Sequence, residues 1–198
     1  MIKTMEYKGK LLSPVGSHKK GDVVRLSRKM GGAWYIISDG LTVPKSSVRI
    51  TSQIYDNSAP VTKADAENFV SSISSQTKWL LWFNKWTMRG YLFYGERGSW
   101  ELKKIKRGTC GSIEHGQGSD TKPKKNYKFY SKYYKVNVGH GNQYFGEFMN
   151  QKGGGNSIHY RPGATKMIPA THGCLGFGKP FSKYLFKKIP VNTRVVVF

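Results

Sequence analysis

The chain contains one stretch around which the rest is interpreted: Thr171-His172-Gly173-Cys174, with His159 upstream of it. A cysteine thiol needs a base to become a thiolate near neutral pH, and a nearby imidazole is a common means of activation. The glycine before the cysteine allows a tight turn, so that successive N–H groups can face a developing oxyanion. These residues predict a thiol nucleophile with a histidine base. They also leave open a second interpretation, in which Cys174 is a buried cysteine beside a core histidine.

The order of these residues resembles the signature of the L,D-transpeptidase (YkuD-type) catalytic domain. In that family a histidine is followed, after a dozen or more residues, by Ser/Thr-His-Gly-Cys and an aliphatic residue, which is Leu175 here. The segment that follows also fits, because a short helix-like run from Phe181 precedes a last hydrophobic strand near the C-terminus. The resemblance covers roughly residues 77–198.

Two positions depart from the family pattern. Gly176 stands two residues after the cysteine, where family members usually carry Arg or Asn, and Tyr160 follows the upstream histidine, where Gly or Ser is common. These departures affect the expected substrate contacts more than the expected chemistry. Arg161 and Lys166 are therefore candidates to bind the substrate carboxylate in place of a side chain at position 176.

The resemblance implies a reaction on the peptide stem of peptidoglycan. Cys174, activated by His159, would attack the carbonyl before the terminal D-residue and form a thioester. Transfer to an amine would give a 3→3 cross-link, and transfer to water would give carboxypeptidase activity. The N–H groups of Gly173 and Cys174 are the expected oxyanion donors, His172 is expected to shape the loop, and the Tyr160 carbonyl to orient His159. The expected substrate-binding positions are Tyr160, Arg161, Thr171 and Gly176, and no cofactor is implied.

The first 51 residues predict a small β-barrel. Short alternating or apolar runs predict strands at 23–26, 34–37 and 48–50. The second lies between Gly31-Gly32 and Asp39-Gly40, and such glycine turns are typical of short antiparallel strands. The order of these elements resembles a bacterial SH3-like domain, a module commonly attached to wall enzymes. We therefore expect a wall-binding domain over residues 1–51, although Trp34 and Tyr35 are also compatible with core and rim positions that bind nothing.

Residues 52–76 predict a linker and a helix, and residues 77–198 predict the catalytic domain. Thr62 is suited to cap the helix, with Asp65 at the third position of a capping box. Apolar or alternating runs at 78–83, 89–95 and 99–105 then predict three strands. The expected fold class is mostly β: a small SH3-like barrel followed by an L,D-transpeptidase-type β-sandwich with one or two short helices.

The formal net charge is +22, from 33 basic and 11 acidic residues. A charge of this size indicates a polyanionic partner, such as nucleic acid, an anionic membrane or an anionic wall polymer. The lysines are scattered and no known nucleic-acid motif is present, so no nucleic acid is expected and anionic wall polymers are the favoured class. The apolar runs are too short to span a bilayer.

The N-terminus shows no secretory signal, because the first six residues lead directly into polar sequence. We nevertheless expect an extracellular, wall-associated protein. Either the chain is a mature or trimmed form, or it is exported by another route, of which release of a phage protein at lysis is one.

The remaining cysteine and histidines carry no predicted chemistry. Cys110 is expected to be a structural residue at a strand end, although a disulfide with Cys174 would silence the nucleophile. No metal site is expected, since His18, His115 and His140 lack partners at metal-ligand spacing.

Two alternatives to the transferase remain open. The same site would hydrolyse wall peptides if water were the acceptor, and a phage-type wall hydrolase fits the high positive charge. A third interpretation is a non-catalytic basic protein that binds the wall or nucleic acid on the same fold.

Overall fold

In the computed structural model the chain divides between Tyr55 and Asp56 into two compact units. The structure describes residues 6–28, 33–56, 58–111, 124–129, 131–135, 143–147, 156–168 and 170–198. The predicted Gly31-Gly32 turn lies outside these ranges. So does the glycine-rich run Gly153-Gly154-Gly155, for which the sequence predicts a turn between two strands.

The first unit is a single antiparallel sheet of five strands. Their bounds are β1 (Glu6–Leu11), β2 (Val23–Arg28), β3 (Trp34–Ile36), β4 (Thr42–Val43) and β5 (Val48–Ile54), in the order β4-β3-β2-β1-β5. Tyr7, Leu26, Ile36 and Val43 are fully buried in it, and the Tyr7 and Trp34 rings meet edge to face with centroids 4.9 Å apart. The pattern predicted strands at β2, β3 and β5. The SH3-like assignment of this unit stays a prediction.

The second unit opens with helix α1 (Lys63–Val70). The Thr62 hydroxyl accepts a hydrogen bond from the Asp65 N–H at 3.1 Å, which is the predicted N-cap. Ala66 and Val70 face inward and pack in one cluster with Trp82, and with other buried side chains of the following strands. The cap and the apolar stripe together explain why the helix forms at this place.

Nine strands of the second unit form one continuous sheet. They are β6 (Trp79–Asn84), β7 (Arg89–Tyr94), β8 (Glu101–Thr109), β9 (Lys124–Lys128), β10 (Ser131–Lys135), β11 (Gln143–Glu147), β12 (Ser157–Tyr160), β13 (Leu175–Phe177) and β14 (Arg194–Val197). The sheet order is β10-β11-β12-β13-β8-β7-β6-β14-β9, and helix α2 (Lys179–Lys188) connects β13 to β14. The predicted mostly-β fold with two helices is confirmed. Neither helix in the described ranges has the length and apolar character needed to cross a lipid bilayer.

Packing in the middle of this sheet fixes the position of β13. The Phe177 ring lies where side chains on Gly90 and Gly108 would stand, since a Cβ at either position would come within 2.7 Å of it. The two glycines of β7 and β8 therefore leave a slot that the Phe177 ring fills. This interlocking anchors the strand that directly follows Cys174.

Candidate functional site

Strands β12 and β13 bring the predicted nucleophile and the predicted base together. The two strands run parallel, with Ile158 opposite Leu175 and His159 opposite Gly176. Cys174 lies immediately before β13, and its Sγ accepts a hydrogen bond from the Ser157 N–H at 3.4 Å. The thiol is thereby tied to the same short strand that carries His159.

The imidazole of His159 is held in one tautomer. The side chain is buried, and its Nδ1 lies 2.7 Å from the Tyr160 carbonyl oxygen. A carbonyl oxygen can only accept a hydrogen bond, so Nδ1 must carry the proton, and in the neutral ring Nε2 is left as the basic nitrogen. The contact implied by the resemblance is present, and it leaves His159 prepared to take a proton at Nε2.

The loop before Cys174 is braced by a threonine and requires a glycine. Thr171 is buried, and its hydroxyl donates to the Cys174 carbonyl at 2.6 Å. Gly173 has φ +107°, and a Cβ on it would lie 2.5 Å from Oδ1 of Asn156. Backbone conformation and close contact each exclude a side chain at position 173, so the turn that presents the thiol depends on this glycine.

The surroundings of Cys174 shift the pKa of its thiol in opposite directions. Burial, the largest effect, raises the pKa of the thiol above its usual range, while the Ser157 N–H and the positive charge of Arg161 lower it. Because burial dominates, the protonated form of the thiol is favoured over the thiolate. Its proton must therefore be removed during attack on a substrate, which is the task of a general base.

Gly176 has no room for the side chain that the family pattern places there. It lies between His159 of β12 and Thr109 of β8, and a Cβ on it would come within 2.7 Å of both the Arg161 Cβ and the Thr109 Cγ2. Arg161 covers this position, and its N–H donates to the Phe177 carbonyl at 3.0 Å. The cation near the thiol thus comes from residue 161.

The other predicted site residues occupy different positions. His172 is exposed in the loop before Cys174, and Lys166 is exposed at the end of a short 3-10 turn, Ala164–Lys166. Asn156, Ser157 and Thr109 were not predicted to belong to the site. Ser157 carried a usable signal, since it stands two residues before His159 in a strand and therefore on the same face.

Cys110 lies at the end of β8, where its backbone supports the loop before Cys174. It is fully buried one residue after β8, its Sγ lies 3.9 Å from the Met88 Sδ, and its carbonyl accepts the N–H groups of Ala170 and Thr171. No disulfide joins it to Cys174. Within the described residues, no group of three or more His, Cys, Asp or Glu side chains is placed to hold a metal ion. His115 and His140 lie outside those residues.

The sequence profile of the L,D-transpeptidase catalytic domain (YkuD) matches residues 70–197. A fused Zn-dependent amidase/peptidase/peptidoglycan-binding domain-containing protein from Clostridium acetobutylicum is similar in structure, with a TM-score of 0.51 and 20% identity over 69% of this chain and 59% of that one. An L,D-transpeptidase from Stackebrandtia nassauensis has a TM-score of 0.49 and 17% identity over 66% of this chain and 60% of that one.

At these identities the similarity to solved structures describes the fold alone. The chain spans about three fifths of the length of these two structures. No curated protein matches the sequence.

Proposed function

The chain belongs to the YkuD family of L,D-transpeptidase catalytic domains, and from this premise we propose that it is a peptidoglycan L,D-transpeptidase with Cys174 as its nucleophile. The observation that carries the proposal is the pairing of β12 with β13. This pairing holds the Cys174 thiol against the Ser157 N–H and places His159 opposite Gly176, two residues after the thiol. The contact of His159 with the Tyr160 carbonyl defines its tautomer.

In the proposed acylation, the Cys174 sulfur attacks the carbonyl carbon between the L-centre of the third stem residue and the terminal D-residue. His159 Nε2 takes the thiol proton as the C–S bond forms, because burial raises the pKa of the thiol and disfavours the thiolate. The N–H groups of Gly173 and Cys174 are the proposed donors to the oxyanion. When the tetrahedral intermediate collapses, the C–N bond breaks, His159 returns the proton to the leaving nitrogen, and the terminal D-amino acid departs.

In the proposed transfer step, an amine of a second stem attacks the thioester carbonyl. His159 Nε2 accepts a proton from this amine, the C–S bond breaks, and the proton returns to the Cys174 sulfur. The products are a new amide, the 3→3 cross-link, and the original thiol. If water takes the place of the amine, the same sequence gives an L,D-carboxypeptidase or a wall hydrolase, so the acceptor determines the outcome.

Substrate binding is assigned to the residues around the thiol. Arg161 is the proposed partner of the substrate carboxylate, since it covers Gly176 and its charge acts on Cys174. Tyr160, Thr171 and Gly176 form the proposed wall around it, with Thr171 bracing the loop. His172 is assigned to the loop shape, and no cofactor or metal enters the reaction.

The proposed place of action is the cell wall, where stem peptides are found. The charge of +22 favours retention by anionic polymers there. For residues 1–51 we keep the proposal of an SH3-like wall-binding module.

The test is incubation with a disaccharide tetrapeptide, with and without an added amine acceptor, followed by mass spectrometry of the products. We expect release of the terminal D-amino acid, with a cross-linked dimer when the amine is present. Cys174→Ala should abolish both products, and His159→Ala should slow release by a factor on the order of 10²–10⁴. Release without dimer would support the hydrolase. If the wild-type protein released no D-amino acid, both the transpeptidase and the hydrolase hypotheses would be contradicted. A non-catalytic basic binding protein would then be favoured.

A further inference from the structure

A groove of about 640 Å³ opens between strand β8 and the start of helix α2. One wall is formed by consecutive residues of β8 and the other by Phe181 and Tyr184 of the helix, with Thr165 at the margin. Neither Cys174 nor His159 lines it. Its cationic wall residues are Lys104, Lys106 and Arg107.

Among the described residues, no carboxylate is paired with the positive charges of this groove. In the ranges that the structure describes, Lys104, Lys106 and Arg107 form no ion pair with a carboxylate, whereas the neighbouring Lys103 is paired with Glu101. Arg107 also lies directly opposite Arg89 in the β7–β8 register. Like charges in opposed positions repel each other. A concave surface lined by one sign of charge concentrates its field and attracts counter-ions.

Helix α2, which supplies the second wall of the groove, is also strongly basic. It carries Lys179, Lys183 and Lys187 at four-residue spacing, all exposed, and it contains no acidic residue. Cations four residues apart on a helix repel each other, and a cation in the first turn is also unfavourable to the helix dipole. A bound polyanion would relieve both effects.

The groove is separate from the thiol but borders the same sheet. Gly108 of β8 pairs with Phe177, at the end of β13 away from Cys174. At about 3.3 Å per residue, that end is roughly 10 Å from the thiol. A polymer in the groove would therefore hold the enzyme beside the wall and leave the space around the thiol open for a stem peptide.

We propose that this groove, the β8–α2 groove, binds a wall polymer of phosphodiester-linked polyol units through Lys104, Lys106 and Arg107. The choice of a wall polymer rests on the proposed function, while the preference for phosphodiester anions rests on the groove alone. Lys104 and Lys106 are two residues apart on one strand and therefore on one face, at a spacing suited to successive anionic groups on one chain. Arg107 follows them in the lining of the groove.

The aromatic residues of the groove favour a polymer without bases. Sites for single-stranded nucleic acid present open aromatic faces on which bases stack. Here Lys104 Nζ lies 4.8 Å from the Tyr184 ring centroid, over its face. The same ring lies nearly parallel to the Phe181 ring, at 13° with centroids 6.4 Å apart, and Phe181 is buried. These rings already engage each other and a lysine.

The experiment measures binding of a defined poly(glycerol phosphate) oligomer to the full chain over a range of salt concentrations. The test variant is Lys104→Gln/Lys106→Gln/Arg107→Gln. The matched control is Lys63→Gln/Lys78→Gln/Arg97→Gln, which removes the same number of charges from exposed positions of the second unit outside the groove. We expect the test variant to bind about tenfold more weakly at low salt. Its slope of log affinity against log salt should be smaller by about two, since each lost phosphate contact removes about 0.7. The control should keep at least half of the wild-type affinity.

Two further measurements separate the possible failures. An oligothymidylate of equal charge is expected to bind more weakly than the glycerol phosphate oligomer. If the oligothymidylate instead bound equally or more tightly, and the test variant lost that binding, the groove would be assigned to nucleic acid. The proposed site would be overturned if the two triple variants lost equal affinity for the polymer, or if the test variant lost none. Carbapenem acylation of Cys174, followed in the same proteins, should be unchanged in the test variant. A wild-type protein that binds the polymer but is not acylated would refute the proposed function and leave the groove standing.

Discussion

At the scale of single residues, Cys174 is a half-buried thiol whose neighbours partly offset the cost of ionising it. Burial raises its pKa, and Arg161 and the Ser157 N–H lower it. A thiol of this kind reacts slowly unless a base takes its proton, so reactivity should respond to the base and to the nearby charge. The base and the nearby charge both come from residues within two short segments, 156–161 and 171–176.

Arg161→Gln should raise the pKa of Cys174 further, because it removes a positive charge that favours the thiolate. The rate of alkylation by iodoacetamide rises with pH as the thiolate forms, so its midpoint should move to higher pH. A shift of one unit would slow alkylation about tenfold near neutral pH. The measurement is the pH dependence of alkylation in a Cys110→Ala background. Lys166→Gln, which removes an exposed lysine, should leave the midpoint unchanged. An unchanged or lowered midpoint in Arg161→Gln would show that its charge does not reach the thiol.

Gly173→Ala should impair both folding and acylation. The alanine would be forced to φ +107° with its Cβ 2.5 Å from Asn156 Oδ1. We expect a loss of about 1–3 kcal/mol of unfolding free energy from backbone strain, and acylation by a carbapenem slowed by about tenfold or more. Gly98→Ala is the matched control, since Gly98 has φ +87° with no atom within 4 Å of its Cβ position. It should be destabilised but acylated at the wild-type rate. Equal acylation rates in the two variants would contradict the role given to the Gly173 turn.

The sequence pattern identified His159 and Cys174 but not their surroundings. The chemistry proposed for them was suggested by residue types and their order. The contact of Asn156 with Gly173, and the cover that Arg161 provides over Gly176, depend on how β12 pairs with β13, and that pairing is a tertiary property. Arg161 was therefore predicted only as one of two candidate cations, and Asn156 was missed.

At the scale of elements, prediction succeeded where a local signal was strong. The cap at Thr62 predicted α1, and apolar or alternating runs predicted β6 to β8. Strand β1 was missed because Tyr7 and Leu11 alternate with charged residues and Gly9, so that the segment has a polar composition. The last three residues of β5, Ser52–Ile54, were assigned to a linker for the same reason. Pairing with neighbouring strands, rather than composition, makes these segments strands.

Thr62→Ala tests the cap of α1. Loss of the hydroxyl leaves the Asp65 N–H without this acceptor. The expected cost is about 1 kcal/mol of unfolding free energy, measured by urea denaturation. Ser99→Ala, at an exposed loop position, should change stability by less than about 0.5 kcal/mol. A Thr62→Ala protein as stable as the Ser99→Ala protein would mean that the cap contributes nothing.

At the scale of the whole molecule, the chain combines two compact units with a large positive charge. Every residue assigned to the site lies in residues 56–198, and that unit has its own buried core. The charge suggested a polyanion without locating it, because the basic residues are spread along the sequence. Only the fold brings Lys104, Lys106 and Arg107 to one groove.

A chain of residues 56–198 should therefore be acylated by a carbapenem at a rate within about twofold of the full chain. The reason is that the thiol, its base and the loop that presents the thiol all belong to this unit. Circular dichroism would establish that the shortened chain is folded. A folded fragment acylated tenfold more slowly would show that the first unit contributes to the site.

The central claim is that Cys174 is an acyl-enzyme nucleophile, and intact-protein mass after brief exposure to a carbapenem tests it most directly. The strained amide of the β-lactam would acylate an activated thiol and leave one adduct of the drug's mass. We expect a single adduct on the wild-type protein and on Cys110→Ala, and none on Cys174→Ala. No adduct on a folded wild-type protein, or an adduct that persists in Cys174→Ala, would contradict the account.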